Sequence, residues 1–159
     1  MMNFETIDTG IIHGDDLPWT PFAPYSDTVE VKLIKADPVR GETVTLLRAP
    51  MGTVLPMHHH GGTVIVYTIS GAWRYAEHDW IATPGSVVYE TAGSRHTPIT
   101  VEGYGDATVT LNITTGDLIY FGDDGQMAAI ENWRTAVDRY LAYCAEQGIE
   151  PRDVTHFGA

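Results

Sequence analysis

The run "MHHHGG" sets His58, His59 and His60 side by side within the β-forming stretch "GTVLPMHHHGGTVIVYTISG". Successive side chains on a strand point to opposite faces. His58 and His60 therefore share one face, and His59 points away. Two imidazoles so placed reach a single ion at about 2.0–2.1 Å per bond. A third imidazole, His96, follows the tight turn "TAGSR" and precedes another strand. A barrel that lays this strand beside the first completes a three-nitrogen metal site. The alternative reading of the same residues is a solvated histidine patch.

Other side chains stand in range of such a site. Glu90 could orient a substrate or pair with Arg74 beside the metal; the alternatives are a solvent-facing carboxylate at a strand end and an ordinary surface cation. Val64, Val66 and Thr68 share a face, and Thr100 alternates inward from His96. They would form a mostly apolar wall suited to a hydrophobic substrate, a reading compatible with plain barrel core. Glu77, His78 and Asp79 sit between two tryptophans at an apparent turn and are read as a strand connection, not ligands. His13 and His156 have no partner at ligand spacing and are expected to be solvated.

The elements that must position these groups are mostly strands. From Thr28 onward come short β-like runs: "TVEVKLIKA", "ETVTLLRAP", "TVIVYTIS", "AWRYAE", "SVVYE", "TPITVE", "ATVTLNIT" and "DLIYF". Turn residues divide them at a density that predicts an all-β sandwich or barrel. Upstream, "DDLPWTPFAPY" carries three prolines and reads as an extended arm packed on the surface. Downstream, Ile130, Trp133, Val137, Tyr140, Leu141 and Cys144 repeat at helical spacing, and Gly148 and Pro151 supply a stop. The expected organisation is one domain over residues 1–159, with an arm at 1–27, a barrel at 28–122 and a C-terminal helix at 129–147. Cys144 lies on the apolar stripe and is expected to be a small buried residue rather than a nucleophile.

Composition narrows the function. The chain has 159 residues, 43% of them hydrophobic, and a formal net charge of −12. That charge repels phosphate backbones and anionic lipid, so neither nucleic acid nor a membrane surface is expected as a partner. It does not exclude anionic small molecules, because a buried metal reverses the local field. One cysteine allows no internal disulfide. No apolar run approaches the roughly 20 residues of a membrane span. "MMNFETIDTG" lacks the pattern of a secretory signal, so a cytoplasmic location is expected.

The spacing resembles the cupin superfamily, which carries two motifs. Gly52, His58, His60 and Gly71 fall in register with the first, and Gly85, Gly93 and His96 with the second. Val64 occupies the first motif's Glu slot; Thr91 and Thr100 occupy the second motif's Pro and Asn slots. The fold implied is the cupin double-stranded β-helix, a jelly-roll barrel with the metal inside. Within the cupins, "GAWRYAEHDW", "SVVYE", "RHTP" and "GDLIYFGDDGQ" followed by the helix resemble 2,4'-dihydroxyacetophenone dioxygenase and its relatives. That resemblance implies non-haem Fe(II) held by His58, His60 and His96, and O₂-dependent cleavage of a C–C bond in an α-hydroxyketone. Acetylacetone dioxygenase, another three-His cupin, also carries a Glu six residues before its last His, where Glu90 stands here.

With Val64 in the Glu slot, the expected ligands are three neutral imidazoles, leaving positions for a bidentate anionic substrate and O₂. A different class remains open: a zinc-binding sensor or binding module of the anti-sigma-factor type, without turnover. A third possibility is a cupin using Mn, Ni, Co or Zn for non-oxidative chemistry, since imidazole suits many metals. The expected partners are a small chelating substrate and O₂, and the expected solution state is a homodimer, the usual arrangement in cupins.

Overall fold

The computed structural model describes residues 9–122 and 124–155. The chain folds as an all-β jelly-roll barrel of the cupin type with one C-terminal helix. In chain order the strands are β1 (Thr20–Pro21), β2 (Glu30–Asp37), β3 (Glu42–Pro50), β4 (His58–His60), β5 (Val64–Ser70) and β6 (Trp73–Tyr75). They continue as β7 (Val87–Glu90), β8 (Arg95–His96), β9 (Pro98–Thr100), β10 (Ala107–Thr115), β11 (Leu118–Phe121) and β12 (Met127–Glu131), followed by α1 (Trp133–Gln147). A six-stranded sheet runs β1-β2-β3-β10-β5-β7, and a four-stranded sheet runs β12-β11-β4-β8; β6 and β9 pair separately. The apolar–polar alternation of the runs is what two faces, one packed and one wet, require.

Two boundaries differ from the sequence reading. Residues 127–131 form β12, paired with β11, so the barrel extends past 122 and the helix begins at Trp133 rather than 129. Ile130 falls at helical spacing from Trp133 by coincidence. The real start is Asn132, whose side chain accepts from the Arg134 and Thr135 amides while Thr135 Oγ1 accepts from the Asn132 amide. This reciprocal cap satisfies donors that the first helical turn leaves open. The buried stripe is Ala136, Tyr140 and Cys144, packed with Leu17, Leu33 and Val154; Leu141 is exposed. Cys144 is buried, as expected.

The arm also differs. Its Pro21 and Thr20 pair with β2, and Phe22 and Tyr25 enter the core against Val31, Leu55 and Tyr120. Tyr25 stacks on Tyr120 with ring centroids 4.2 Å apart. Burial of these aromatics draws the Pro-rich segment inward, where an exposed arm would leave them wet. Among the described residues no helix is long and apolar enough to cross a membrane.

The turn after β4 brings two backbones together. A Cβ on Gly62 would stand 2.1 Å from the Thr115 carbonyl oxygen. Thr115 Oγ1 meanwhile accepts from the Thr63 amide at 3.0 Å and donates to the Thr63 carbonyl at 2.9 Å, clamping the contact. Gly62→Ala should therefore destabilise the fold by about 1–3 kcal/mol, read by denaturant unfolding. Gly14→Ala, where nothing lies within 4 Å, should leave the midpoint nearly unchanged.

Candidate metal centre

Strand pairing assembles the histidines. In β4 the side chains of His58 and His60 are buried and that of His59 is turned to the other face, as alternation requires. β8 runs antiparallel beside β4 with His96 directly opposite His58. Ring centroids lie 4.7 Å apart for His58–His60 and 5.4 Å for His60–His96. Exposure is 6% for His58, 2% for His60 and 8% for His96, so the patch is not a solvated one.

A carboxylate joins them. Val64 holds the position expected for a motif Glu, but its cross-strand partner on β7 is Glu90. Directly paired residues project to the same face. The carboxylate absent from position 64 thus returns from the neighbouring strand. Ligand atoms of His60, Glu90 and His96 lie within 4.8 Å of one another. Glu90 Oε2 stands 3.0 Å from His60 Nε2, yet the pair is out of line for a hydrogen bond, and both atoms are buried without a partner. Two donors each about 2.1 Å from one octahedral ion lie about 3 Å apart, which matches this separation.

Surrounding groups hold the cluster in place. His58 Nδ1 bonds the Pro56 carbonyl at 3.0 Å, which directs Nε2 toward the interior. The Tyr75 hydroxyl donates to Glu90 Oε1, and the Tyr75 ring stacks on His96 at 4.1 Å. Burial depresses the imidazoles, His58 to about 4 and His60 to about 3, and it lowers His96 as well. These rings are neutral at neutral pH, the form that binds metal. Burial pushes the Glu90 carboxyl up to about 7 against the opposing pull of the Tyr75 hydroxyl.

Tyr75, not Arg74, is the partner of Glu90. In β6 the side chains of Trp73 and Tyr75 face inward, and Arg74 turns outward to bond the Tyr75 carbonyl. The signal was present in "WRY": two aromatics flanking one cation place the aromatics inside. Val64, Val66 and Thr100 line the interior cavity, whereas Thr68 is fully buried and does not reach its wall. The Thr68 hydroxyl is engaged by Trp73 Nε1 at 2.9 Å, and that of Thr100 by the Thr53 amide at 2.9 Å, so Thr100 offers the cavity chiefly methyl surface. Glu77 accepts from the Thr97 amide, and His78 stacks on Trp80; neither joins the cluster. His13 precedes a short turn at Gly14–Asp16, and His156 lies outside the described residues.

The cluster borders two spaces. An interior cavity of about 130 Å³ includes His58, His60, Tyr75 and Glu90 in its wall. An open cleft of about 640 Å³ reaches Tyr75, Glu90 and His96 from outside, past His78 and Trp80. Tyr75 and Glu90 line both and form the partition between them.

Comparisons with known proteins agree with this architecture. The sequence model of the ChrR cupin-like domain matches residues 8–118. An RmlC-like cupin protein of Ralstonia eutropha JMP134 is 57% identical, covering 99% of each chain with a TM-score of 0.92. An acetylacetone dioxygenase from Acinetobacter johnsonii is 19% identical over 85% of this chain and 91% of its own, TM-score 0.72. The anti-sigma factor ChrR of Rhodobacter sphaeroides, solved with SigE, is 20% identical over 64% and 51%, TM-score 0.52. The last two establish likeness of fold. A search of curated proteins returned no match.

Tyr75→Phe removes the donor to Glu90 while keeping the ring on His96. It should weaken divalent-metal binding about tenfold, as measured by competition with a chromophoric chelator, with the far-ultraviolet circular dichroism unchanged.

Proposed function

The chain belongs to the ChrR cupin-like family, and on that premise we propose that it is a non-haem iron dioxygenase. Its proposed substrate is an α-hydroxyketone or β-diketone cleaved at a C–C bond, in the manner of 2,4'-dihydroxyacetophenone dioxygenase. The observation that carries this reading is the buried group His60, Glu90 and His96, whose ligand atoms lie within 4.8 Å of one another and include ring nitrogens and a carboxylate oxygen with no protein partner. His58 stands beside them, its ring 4.7 Å from that of His60, but outside that ligand-distance group. Buried polar atoms without partners are rare, and a divalent cation would engage Glu90 Oε2 together with one nitrogen of each neighbouring ring. The residues present therefore fit a metal.

His58, His60 and His96 would hold it, with Glu90 as a fourth donor supplied from β7. When bound, Fe(II) supplies Lewis acidity toward a chelating pair of oxygens and the one-electron chemistry that O₂ requires. The protein's part is positional. The Pro56 carbonyl fixes the tautomer of His58. Tyr75 anchors Oε1 of Glu90, leaving Oε2 toward His60. Val64 and Val66 present apolar surface to the substrate chain and keep water from the reacting end. The proposed partners are a small chelating molecule and O₂. A homodimer is the proposed solution state, supported by Tyr67, Ile69, Val87 and Tyr89, which are exposed on the adjacent strands β5 and β7.

A second reading has its own support in the family match. As a zinc-binding module of the ChrR type, the barrel would hold metal without turnover. Mn, Ni or Co in the same ligands would serve non-oxidative chemistry.

Protein reconstituted anaerobically with Fe(II) should consume O₂ with 2,4'-dihydroxyacetophenone or acetylacetone. His96→Ala should lose metal and O₂ uptake together, each by 100-fold or more on the order expected for a ligand. Tight zinc in the purified protein, with no O₂ uptake on either substrate after iron loading, would favour the sensor.

A further inference from the structure

The inner face of the large sheet carries polar groups that the metal centre does not use. Register places Glu90, Val64, Thr114 and Thr43 side by side across β7, β5, β10 and β3. The adjacent row runs Val88, Val66, Asn112 and Thr45. Strands lie about 4.8 Å apart. The hydroxyls and the amide therefore stand two to three spacings, about 10–14 Å, from Glu90, with valines between. Thr43, Thr45, Asn112 and Thr114 all line the cavity that holds His58 and His60.

These groups have capacity to spare. The hydroxyls of Thr43, Thr45 and Thr114 have no hydrogen-bond partner among the described residues. The Asn112 side chain bonds only Thr110, two residues along its own strand: Nδ2 donates to Oγ1 at 3.1 Å and to the carbonyl at 3.5 Å, and Oδ1 accepts from Oγ1 at 3.4 Å. That leaves the amide an accepting lone pair on Oδ1. Among the described residues the cavity wall contains no Lys or Arg; its carboxylates are Glu90 and Glu131, the latter held by Arg139. An anionic group here would be desolvated with no cation to meet it. A neutral hydroxyl would find both donors and acceptors.

We propose that Thr43, Thr45, Asn112 and Thr114 form a distal subsite that reads a neutral hydrogen-bonding group, a phenol or alcohol, at the far end of the chelating substrate and rejects a carboxylate or phosphate there. The proposal rests on the chelating-substrate reading above. The substrate's head lies at the histidines, an apolar or aryl middle crosses Val64 and Val66, and the terminal hydroxyl meets Asn112 and Thr45.

Zn(II)-loaded protein, which cannot turn over, allows binding to be measured alone by calorimetry. The probes are benzoylacetone and its para-hydroxy and para-carboxy derivatives. The para-hydroxy compound should bind about tenfold more tightly than benzoylacetone, and the para-carboxy compound at least tenfold more weakly. Asn112→Leu and Thr45→Val should each remove most of the hydroxyl's advantage. The proposal is overturned if the para-hydroxy and parent compounds bind equally, if the para-carboxy compound binds as well as the parent, if the preference survives both variants, or if none of the three binds. The wild-type comparison needs no variant to fold. O₂ uptake by the Fe(II) form separates the two readings. A hydroxyl preference in the zinc form without O₂ uptake removes the dioxygenase and keeps the subsite. O₂ uptake with a KM indifferent to the para group removes the subsite alone.

Discussion

Three neutral imidazoles and a carboxylate buried together lack one thing, a positive charge. Glu90 is 3% exposed and its Oε2 has no hydrogen-bond partner. Taking an ionised carboxylate out of water without a counter-charge is so costly that the group shifts toward its neutral form, and burial pushes Glu90 up in that direction. A divalent cation reverses this balance, restoring the carboxylate and engaging the ring nitrogens. The barrel is arranged around that demand. β4 contributes two imidazoles by alternation, β8 lays a third opposite the first, and β7 delivers the acid across from Val64.

The position of Glu90 changes the charge count read from the motif. A Val in the Glu slot points to an all-imidazole site with its full dipositive charge available to substrate. The strand register places a carboxylate 3.0 Å from His60 instead. With Glu90 as a donor, the proposed site would regain a carboxylate from a different sequence position than the superfamily motif's, and a bound ion's residual charge would fall accordingly. The pull on the proposed chelating substrate would then be weaker, and more of its selectivity would pass to the cavity wall. That wall is apolar beside the metal and hydroxyl-rich beyond it.

Much of this was legible in the sequence. The pairing of His58 with His60, the outward turn of His59 and the inward faces of Val64, Val66, Thr68 and Thr100 follow from a period of two, which a strand imposes without exception over short runs. β3 spans the same residues as the run "ETVTLLRAP". What escaped depended on which strands became neighbours. No local pattern pairs Val64 with Glu90, because that contact joins residues 26 positions apart through sheet register. Charge alone points to Arg74 as the partner of Glu90, whereas alternation on β6 turns Arg74 outward and Tyr75 inward. The helix start is ambiguous by period alone, because Ile130 fits a 3.6 period while belonging to β12; the Asn132–Thr135 cap is the stronger cue.

The most direct test is anomalous diffraction from crystals of protein reconstituted anaerobically with Fe(II). The account predicts one iron per chain, bonded to His58, His60 and His96, with a Glu90 oxygen at bonding distance. Iron absent from this cluster, or bound elsewhere while the three rings remain unligated, would contradict it.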